Sequence, residues 1–149
     1  MSSKTTAKVG KHEPVFREFE HTGDIGIELT APTRGELFQR AAIALASLLV
    51  ETSSVGQAEQ REVAIAAATD SDLMHDLLTE LLFLFTVEGF VWSDASVKEA
   101  DGSLCVTLRG ERFDPARHQF RGEIKAVTYH QLTVANSPDG WRARIIFDV

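Results

Sequence analysis

Two Asp-Gly dipeptides, at 101–102 and 139–140, constrain the fold of this chain more than any other feature of its sequence. Each dipeptide separates two strand-like runs, and Leu104, Val106 and Leu108 alternate along one of them, a pattern typical of a strand with one buried face. An Asp-Gly pair between such runs predicts a β-hairpin, because the tight turn that joins twisted antiparallel strands needs positive φ angles. The four runs are 95–99, 104–108, 127–134 and 141–147, and similar alternation predicts further strands within 15–30 and over 61–69.

Two helices are predicted between these strands. Thr33 and Glu36 have the spacing of a capping box, so the first helix should run over about 34–50. Asp70 begins an acidic turn, which predicts the start of the second helix because carboxylates stabilise a helix N-terminus. The apolar stripe of this second helix consists of Leu73, Leu77, Leu81, Leu84 and Phe85.

Strands at both ends of the chain with two helices between them predict an α+β fold, since a doubly wound fold would alternate strands and helices regularly. We expect a single domain over 15–149, built from a mainly antiparallel β-sheet with both α-helices packed on it. A chain of 149 residues is of ordinary single-domain size. The polar segment 1–14 lacks an apolar core and is expected to be a disordered tail.

The composition argues against several classes of function. One cysteine, Cys105, rules out an internal disulfide framework and a cysteine-rich zinc site. No run in the sequence reaches the roughly 18 apolar residues that a membrane span needs, and the start does not read as a secretory signal, so we expect a cytoplasmic protein. The net charge of −7 lacks the basic footprint of a free-standing nucleic-acid binder, so RNA would be contacted only indirectly or weakly. The sequence also lacks a phosphate loop and a nucleophile elbow.

Two aspartates near opposite ends of the predicted domain are candidate metal ligands. Asp24 lies between Gly23 and Gly26, where an aspartate is most often a turn or bulge residue. Asp148 precedes Val149, and would be either a frayed terminus or, if the apolar run before it continues as a strand, part of the sheet. If that strand lies beside the strand of Asp24, both side chains and the α-carboxylate of Val149 converge. Carboxylates grouped in this way would need a cation or hydrogen-bond donors to offset their repulsion. Among cations, hard oxygen ligands favour Ca²⁺ or Mg²⁺, of which Ca²⁺ better tolerates irregular geometry.

Histidines and a basic segment are weaker candidates. The five histidines lack zinc-binding spacing. His21 could order the turn before Asp24, and His130 could be a strand-pairing residue or a contact with a partner. The segment 109–125, which ends at Lys125, carries four arginines and this lysine among acidic residues. It is either a solvated loop or a contact with RNA phosphate or an acidic partner surface.

Three motifs together resemble those of the archease family: HTGDIG at 21–26, EIKAVTYH at 123–130 and FDV at 147–149. The likeness extends over about 15–149 and differs at Gly23, where the family usually has alanine. It implies an archease-like fold and a divalent cation, calcium, held by Asp24, Asp148 and Val149.

The same resemblance implies a protein cofactor with no complete active site of its own. Archeases promote guanylylation of the GTP-dependent tRNA-splicing RNA ligase and support its repeated turnover. On this basis His21, Lys125 and His130 are candidate contacts with the ligase. One alternative, also associated with archease-like proteins, is a chaperone or specificity factor for a tRNA methyltransferase. Another is a small metal-dependent hydrolase using Asp24 and Asp148, which would lack a general base and a nucleophile.

Overall fold

The α+β architecture is observed in a computed structural model that describes residues 4–6, 16–21 and 23–149. In chain order, its elements are β1 (Lys4–Thr6), β2 (Phe16–His21), β3 (Asp24–Ala31), α1 (Arg34–Leu49), a 3-10 turn (Thr52–Ser54), β4 (Glu59–Ala66), α2 (Asp70–Phe83), a π-helical turn (Leu84–Glu88), β5 (Phe90–Ala100), β6 (Ser103–Arg112), β7 (Ala126–Val127), β8 (Thr133–Ser137) and β9 (Gly140–Asp148). Within the described ranges, no helix is long and apolar enough to cross a bilayer.

The strands form two antiparallel sheets, whereas the sequence predicts one. The first sheet has the order β1-β2-β3-β9-β7, and β8 also pairs with β9. The second sheet has the order β4-β6-β5. Helix α1 contacts β3 and β9 of the first sheet and β5 of the second, while α2 contacts β7, β8 and β4. The two helices therefore join both sheets into a single domain.

Helix α1 begins at the predicted residue, Arg34, and ends at Leu49, one residue before the predicted end. The Thr33 hydroxyl caps it by accepting a hydrogen bond from the Glu36 N–H at 3.2 Å. Its alanines allow close approach to β5, and the Ala42 carbonyl accepts a 2.9 Å hydrogen bond from Nε1 of Trp92. The Trp92 side chain is fully buried, and this bond satisfies its polar atom.

The second helix is capped by Thr69, one residue before the predicted start at Asp70. The Thr69 hydroxyl accepts the Asp72 N–H at 3.1 Å. The helix continues into the π-helical turn and ends at Gly89, whose φ is +68°. The predicted apolar stripe packs inward, with Phe85 partly buried and four leucines buried: Leu73, Leu77, Leu81 and Leu84.

Both Asp-Gly hairpins are confirmed. They join β5 to β6 and β8 to β9, and the turn glycines Gly102 and Gly140 have φ angles of +67° and +120°. The run 127–134 is not one strand, however. Strand β7 pairs with the end of β9 and β8 pairs with its start, and Gln131, with φ +54°, lies between them.

Of the segment 1–14, predicted to be a disordered tail, the structure describes only Lys4–Thr6. These three residues form β1 and pair antiparallel with Phe16–Glu18 of β2, which differs from the prediction. The rest of that prediction lies outside the described residues. The strand pair predicted within 15–30 is confirmed as the hairpin of β2 and β3.

Candidate metal centre

Strand β9 lies inside the first sheet, and its last residues are paired on both sides. Asp148 pairs with Asp24 of β3 on one side and with Ala126 of β7 on the other. The N–H of Lys125 also donates to the Asp148 carbonyl at 2.7 Å. Asp148 is therefore held in the sheet, and the alternative of a frayed terminus at this residue is wrong.

Asp24 and Asp148 project from the same face of the sheet, because directly opposed residues of an antiparallel pair do so. This is the face opposite Ile27 and Ile145, which alternate with the two aspartates and are fully buried in the core. Opposed residues have Cβ atoms about 4.5–5.5 Å apart, and like charges at that spacing are destabilising. The strand of Asp148 therefore lies beside the strand of Asp24, which is the condition for convergence of the two aspartates.

The donor chemistry at this position fits a hard divalent cation. Asp24 is half-buried, Asp148 is exposed, and Val149, which follows it, is 37% exposed. Carboxylate oxygens are the ligands that Ca²⁺ and Mg²⁺ prefer. Among the residues that the structure describes, no group of three or more His, Cys, Asp or Glu side chains could hold a metal ion. Two aspartates alone make a sparse site, so the α-carboxylate of Val149 is the remaining donor of the predicted set.

Glycine suits both the turn before Asp24 and the strand after it. His21 pairs with Asp24 across the tight turn between β2 and β3, and Gly23 in that turn has φ +84°, which disfavours a side chain. Gly26 pairs with Phe19, and a Cβ added to Gly26 would lie 2.1 Å from the Phe19 ring. The aromatic ring therefore covers the strand beside the aspartates.

An arginine-carboxylate network, which sequence reasoning missed, supports the same face of the sheet. Glu28 accepts hydrogen bonds from Arg17 and from Arg144, the latter at 2.5 Å, and these two guanidinium groups lower the pKa of Glu28. Arg144 also donates to Oε1 of Gln131 at 3.1 and 3.2 Å, and lies 4.2 Å from the centre of the Phe19 ring. No spacing in the sequence signals these contacts, because they join separate segments of the chain.

The predicted contact residues Lys125 and His130 flank β7, in a segment anchored to β9 and α2. The Thr128 N–H and hydroxyl both donate to the Ile146 carbonyl at 3.0 Å, and the His130 N–H donates to the Thr128 hydroxyl at 3.2 Å. Lys125 is exposed beside Asp148. The two candidates therefore sit on a segment whose backbone is fixed close to the end of β9.

Helix α2 supports this segment through His75. The His75 ring stacks on the Tyr129 ring with centres 3.9 Å apart, and its Nε2 lies 3.1 Å from the Val127 carbonyl. The Tyr129 hydroxyl donates to Asp72 at 3.0 Å, and this bond raises the pKa of Tyr129. His75 is thus a packing residue whose side chain is only 19% exposed.

The basic segment 109–125 is largely paired with carboxylates. Arg117 lies 2.8 Å from Glu111, and Arg121 lies 3.6 Å from Glu51. These pairs favour the solvated-loop interpretation over a platform for RNA phosphates. Lys125 is the member of the segment that lies beside the candidate metal centre.

His118, in the loop that follows β6, is buried. Its Nδ1 accepts the Asp114 N–H at 2.8 Å, which assigns the ring proton to Nε2, and Nε2 lies 2.8 Å from Glu111. Glu111 also accepts the Gly56 N–H at 2.7 Å. The donors Gly56, Arg117 and His118 together lower the pKa of Glu111 to about 2.

Comparison with known proteins gives consistent matches over most of the chain. The model of the Archease protein family (MTH1598/TM1083) matches residues 16–149. The protein archease of Pyrococcus abyssi is 35% identical over 139 residues, covering 90% of this chain and 98% of the relative. The protein archease of Methanosarcina barkeri is 32% identical over 139 residues, covering 90% and 95% of the two chains.

Solved structures give the same result. The solution structure of Methanobacterium thermoautotrophicum protein 1598 superimposes with a TM-score of 0.74 at 31% identity, covering 90% of this chain and 98% of that one. The crystal structure of a Thermotoga maritima protein described as "an archease, possible chaperone" has a TM-score of 0.65 at 24% identity, covering 88% and 94%, and supports the fold alone. The shared fold and the matched sequence together establish that this chain belongs to the archease family.

Proposed function

We propose that this protein is an accessory factor that activates the GTP-dependent RNA ligase of tRNA splicing in the cytoplasm. It promotes guanylylation of the ligase and repeated turnover, and performs no complete reaction by itself. Family membership supports this function, and the opposed register of Asp24 and Asp148 is the observation that links it to particular residues.

The two aspartates and the α-carboxylate of Val149 are proposed to hold a divalent cation, calcium. Asp24 supplies a donor from a half-buried strand position, and Asp148 supplies one from an exposed position directly opposite. When bound, the cation adds positive charge that helps to order phosphate groups. The paired strands hold the carboxylates at a fixed spacing, and such positioning is the main requirement of phosphoryl-type transfer.

Three residues are proposed to contact the ligase around these carboxylates. Lys125 is exposed, and its backbone N–H donates to the Asp148 carbonyl, so this residue adjoins the end of β9 that carries Asp148. His130 lies on the same anchored segment, and His21 pairs with Asp24 in the strand register. A ligase surface that covers Asp24 and Asp148 would extend over this region.

The test mixes the ligase with labelled GTP and RNA ends, with and without this protein. We expect stimulation by the native protein, and loss of stimulation in Asp24→Asn and Asp148→Asn variants, which keep side-chain size but remove a charge. Asp101→Asn is the matched control. Asp101 lies in the turn between β5 and β6 of the second sheet, and Asn-Gly is as good a turn former as Asp-Gly. Full stimulation by both variants would refute the role of the carboxylates. Absence of any stimulation by the native protein would refute the function itself.

A further inference from the structure

Strand β7, which pairs with the end of β9, consists of only two residues, Ala126 and Val127. Strands in globular proteins usually have about three to ten residues, so β7 gains little from strand pairing. Among the described strands it is also the last one of the first sheet on this side. An edge strand presents backbone groups that no further strand pairs with. The position of β7 therefore depends on what contacts it from outside the sheet.

Helix α2 makes such a contact through His75. Nε2 of His75 lies 3.1 Å from the carbonyl oxygen of Val127. A carbonyl can only accept a hydrogen bond, so Nε2 carries a proton and is the donor, whether the ring is neutral or charged. The His75 side chain therefore bonds β7 at the edge of the sheet, where a further strand would otherwise do so.

Two further contacts orient the His75 ring towards Val127. Nδ1 lies 3.1 Å from Oδ1 of Asp76, and in the charged form of the ring it donates to this carboxylate. One face of the ring stacks on the Tyr129 ring, with centres 3.9 Å apart and planes 14° apart. The Tyr129 hydroxyl in turn donates to Asp72 at 3.0 Å. The ring is thus held in the orientation that its bond to Val127 needs.

The helix that carries His75 is a firm support. The Thr69 hydroxyl caps its first turn, and the neighbouring side chains Met74 and Leu77 are fully buried in the core. Side chains on packed helices are placed more precisely than side chains on loops. Movement of β7 away from β9 would therefore require loss of the His75 bond or a shift of the packed helix.

The bonded segment lies directly beside the candidate metal centre. Ala126, which precedes Val127, is the register partner of Asp148, and the Lys125 N–H donates to the Asp148 carbonyl at 2.7 Å. These contacts pair the end of β9 on the side away from β3. If β7 moved, this end would keep only its pairing with β3, and the residues that follow would gain freedom. Ordering them again when a cation binds costs entropy and lowers affinity.

We propose that His75 is a positioning residue of the candidate metal centre. Its hydrogen bond to Val127 holds β7 against the end of β9, and thereby holds the oxygen donors of Asp148 and Val149 in place for the cation. This role goes beyond packing, because it acts through one N–H group. The inference rests on the proposed function, which assigns a cation to these donors.

The first experiment measures calcium affinity by calorimetry in two variants of His75. His75→Phe keeps a ring that stacks on Tyr129 but loses both N–H groups, and its Kd should rise by about tenfold, the lower end of the effect typical of outer-shell partners in metal sites. His75→Gln loses the ring, but its amide N–H reaches the position of Nε2, so its Kd should stay close to the native value. Both variants remove the same ring charge. Glu80→Gln, at an exposed position of the same helix, is the control and should bind like the native protein.

Two results of this titration would overturn the proposal. An unchanged Kd for His75→Phe would show that the N–H group has no influence on the cation. An equal loss of affinity in His75→Phe and His75→Gln would assign the effect to something other than the bond to Val127.

A second experiment, amide hydrogen exchange measured by NMR in EDTA, depends on neither calcium nor the ligase. The N–H groups of Lys125 and Thr128 donate to the carbonyls of Asp148 and Ile146, so their exchange reports the pairing of this segment with β9. Both should exchange about tenfold faster in His75→Phe than in the native protein, and at near-native rates in His75→Gln. Amides of β6, the central strand of the second sheet, should be unaffected. Equal acceleration in both sheets would show a global loss of stability and would overturn the local role of His75.

The outcomes distinguish the role of His75 from the proposed function. Weaker calcium binding by His75→Phe, together with no stimulation of the ligase by the native protein, would keep the positioning role and reject the ligase as partner. Stimulation by the native protein, with equal calcium affinity in His75→Phe, would keep the function and reject the positioning role. A native protein that binds no calcium would overturn both the cation site and the role of His75 in it.

Discussion

Asp24 and Asp148 occupy directly opposed positions on β3 and β9, with their side chains on the same face of the sheet. The strand pairing therefore holds two negative charges within one cross-strand spacing. Like charges directly opposed repel each other, and a cation between them would offset that repulsion. We therefore expect binding of the proposed cation to stabilise the fold.

The difference in stability between an Asp148→Asn variant and the native protein should change sign when calcium is added. In EDTA the variant should be more stable than the native protein by about 0.2–1 kcal/mol, since one of two opposed charges is removed. In excess calcium the native protein should be the more stable one, because a ligand bound only by the folded state adds about 2.7 kcal/mol at a hundred times its Kd. Thermal unfolding in both buffers measures this, with Asp101→Asn as control. A variant that responds to calcium like the native protein would exclude Asp148 as a ligand.

Extension of the chain beyond Val149 should weaken calcium binding. Added residues convert the α-carboxylate of Val149 into a peptide group, so a site that depends on three carboxylates loses one charge. We expect the Kd to rise by roughly tenfold or more, since ligand charge tunes calcium affinity strongly. Calorimetric titration compares a Gly-Ser extension at this end with the same extension at Met1. Equal affinities in the two proteins would show that the terminal carboxylate is not a ligand.

Replacement of Gly26 by alanine should destabilise the first sheet. The new Cβ would lie 2.1 Å from the ring of Phe19, so the ring must move off the strand. Overpacking of this kind costs about 1–3 kcal/mol. Gly122→Ala is the control, because an added Cβ there meets no atom within 4 Å. Urea unfolding gives both values, and a smaller loss for Gly26→Ala in a Phe19→Ala background would confirm the cause.

The Glu111→Gln variant should lose stability at neutral pH but not in acid. The folded-state pKa of Glu111, about 2, lies below the ordinary value of 4.5, so its ionised form stabilises the fold above pH 4.5 and this contribution is lost as the pH falls towards 2. Removal of the charge should cost about 1–3 kcal/mol at pH 7, the range for hydrogen bonds to charged groups. Urea unfolding at pH 7, 5 and 3 should show the difference from the native protein shrinking, while Glu62→Gln shows none. A constant difference across this range would contradict the assigned hydrogen bonds.

Local patterns predict the elements of this fold well. The Asp-Gly pairs locate both hairpins, and the spacing of Thr33 and Glu36 locates α1, because turns and caps depend on residues close in sequence. Alternation does not reveal which strands pair, and for that reason the second sheet and the division of 127–134 into two strands are not predictable in this way.

The candidate site is predictable only in part for the same reason. The sequence predicts convergence of Asp24 and Asp148 on the condition that their strands are neighbours, and only the observed register meets that condition. The stacking of His75 on Tyr129 and the contacts of Arg144 join distant segments of the chain, and residue types alone carry no signal for them.

The central position of β9 has a consequence for the kinetics of folding. Pairing of β3 with β9 joins residues far apart in the chain, as in the ion pair of Glu28 with Arg144, which are separated by 116 positions. Closing so long a loop costs entropy before any contact compensates for it, so such pairings form slowly. The hairpins and helices can form from local contacts, but the two aspartates are opposed only once β3 and β9 have paired. Binding of a cation at Asp24 and Asp148 would therefore distinguish fully folded molecules from partly folded ones.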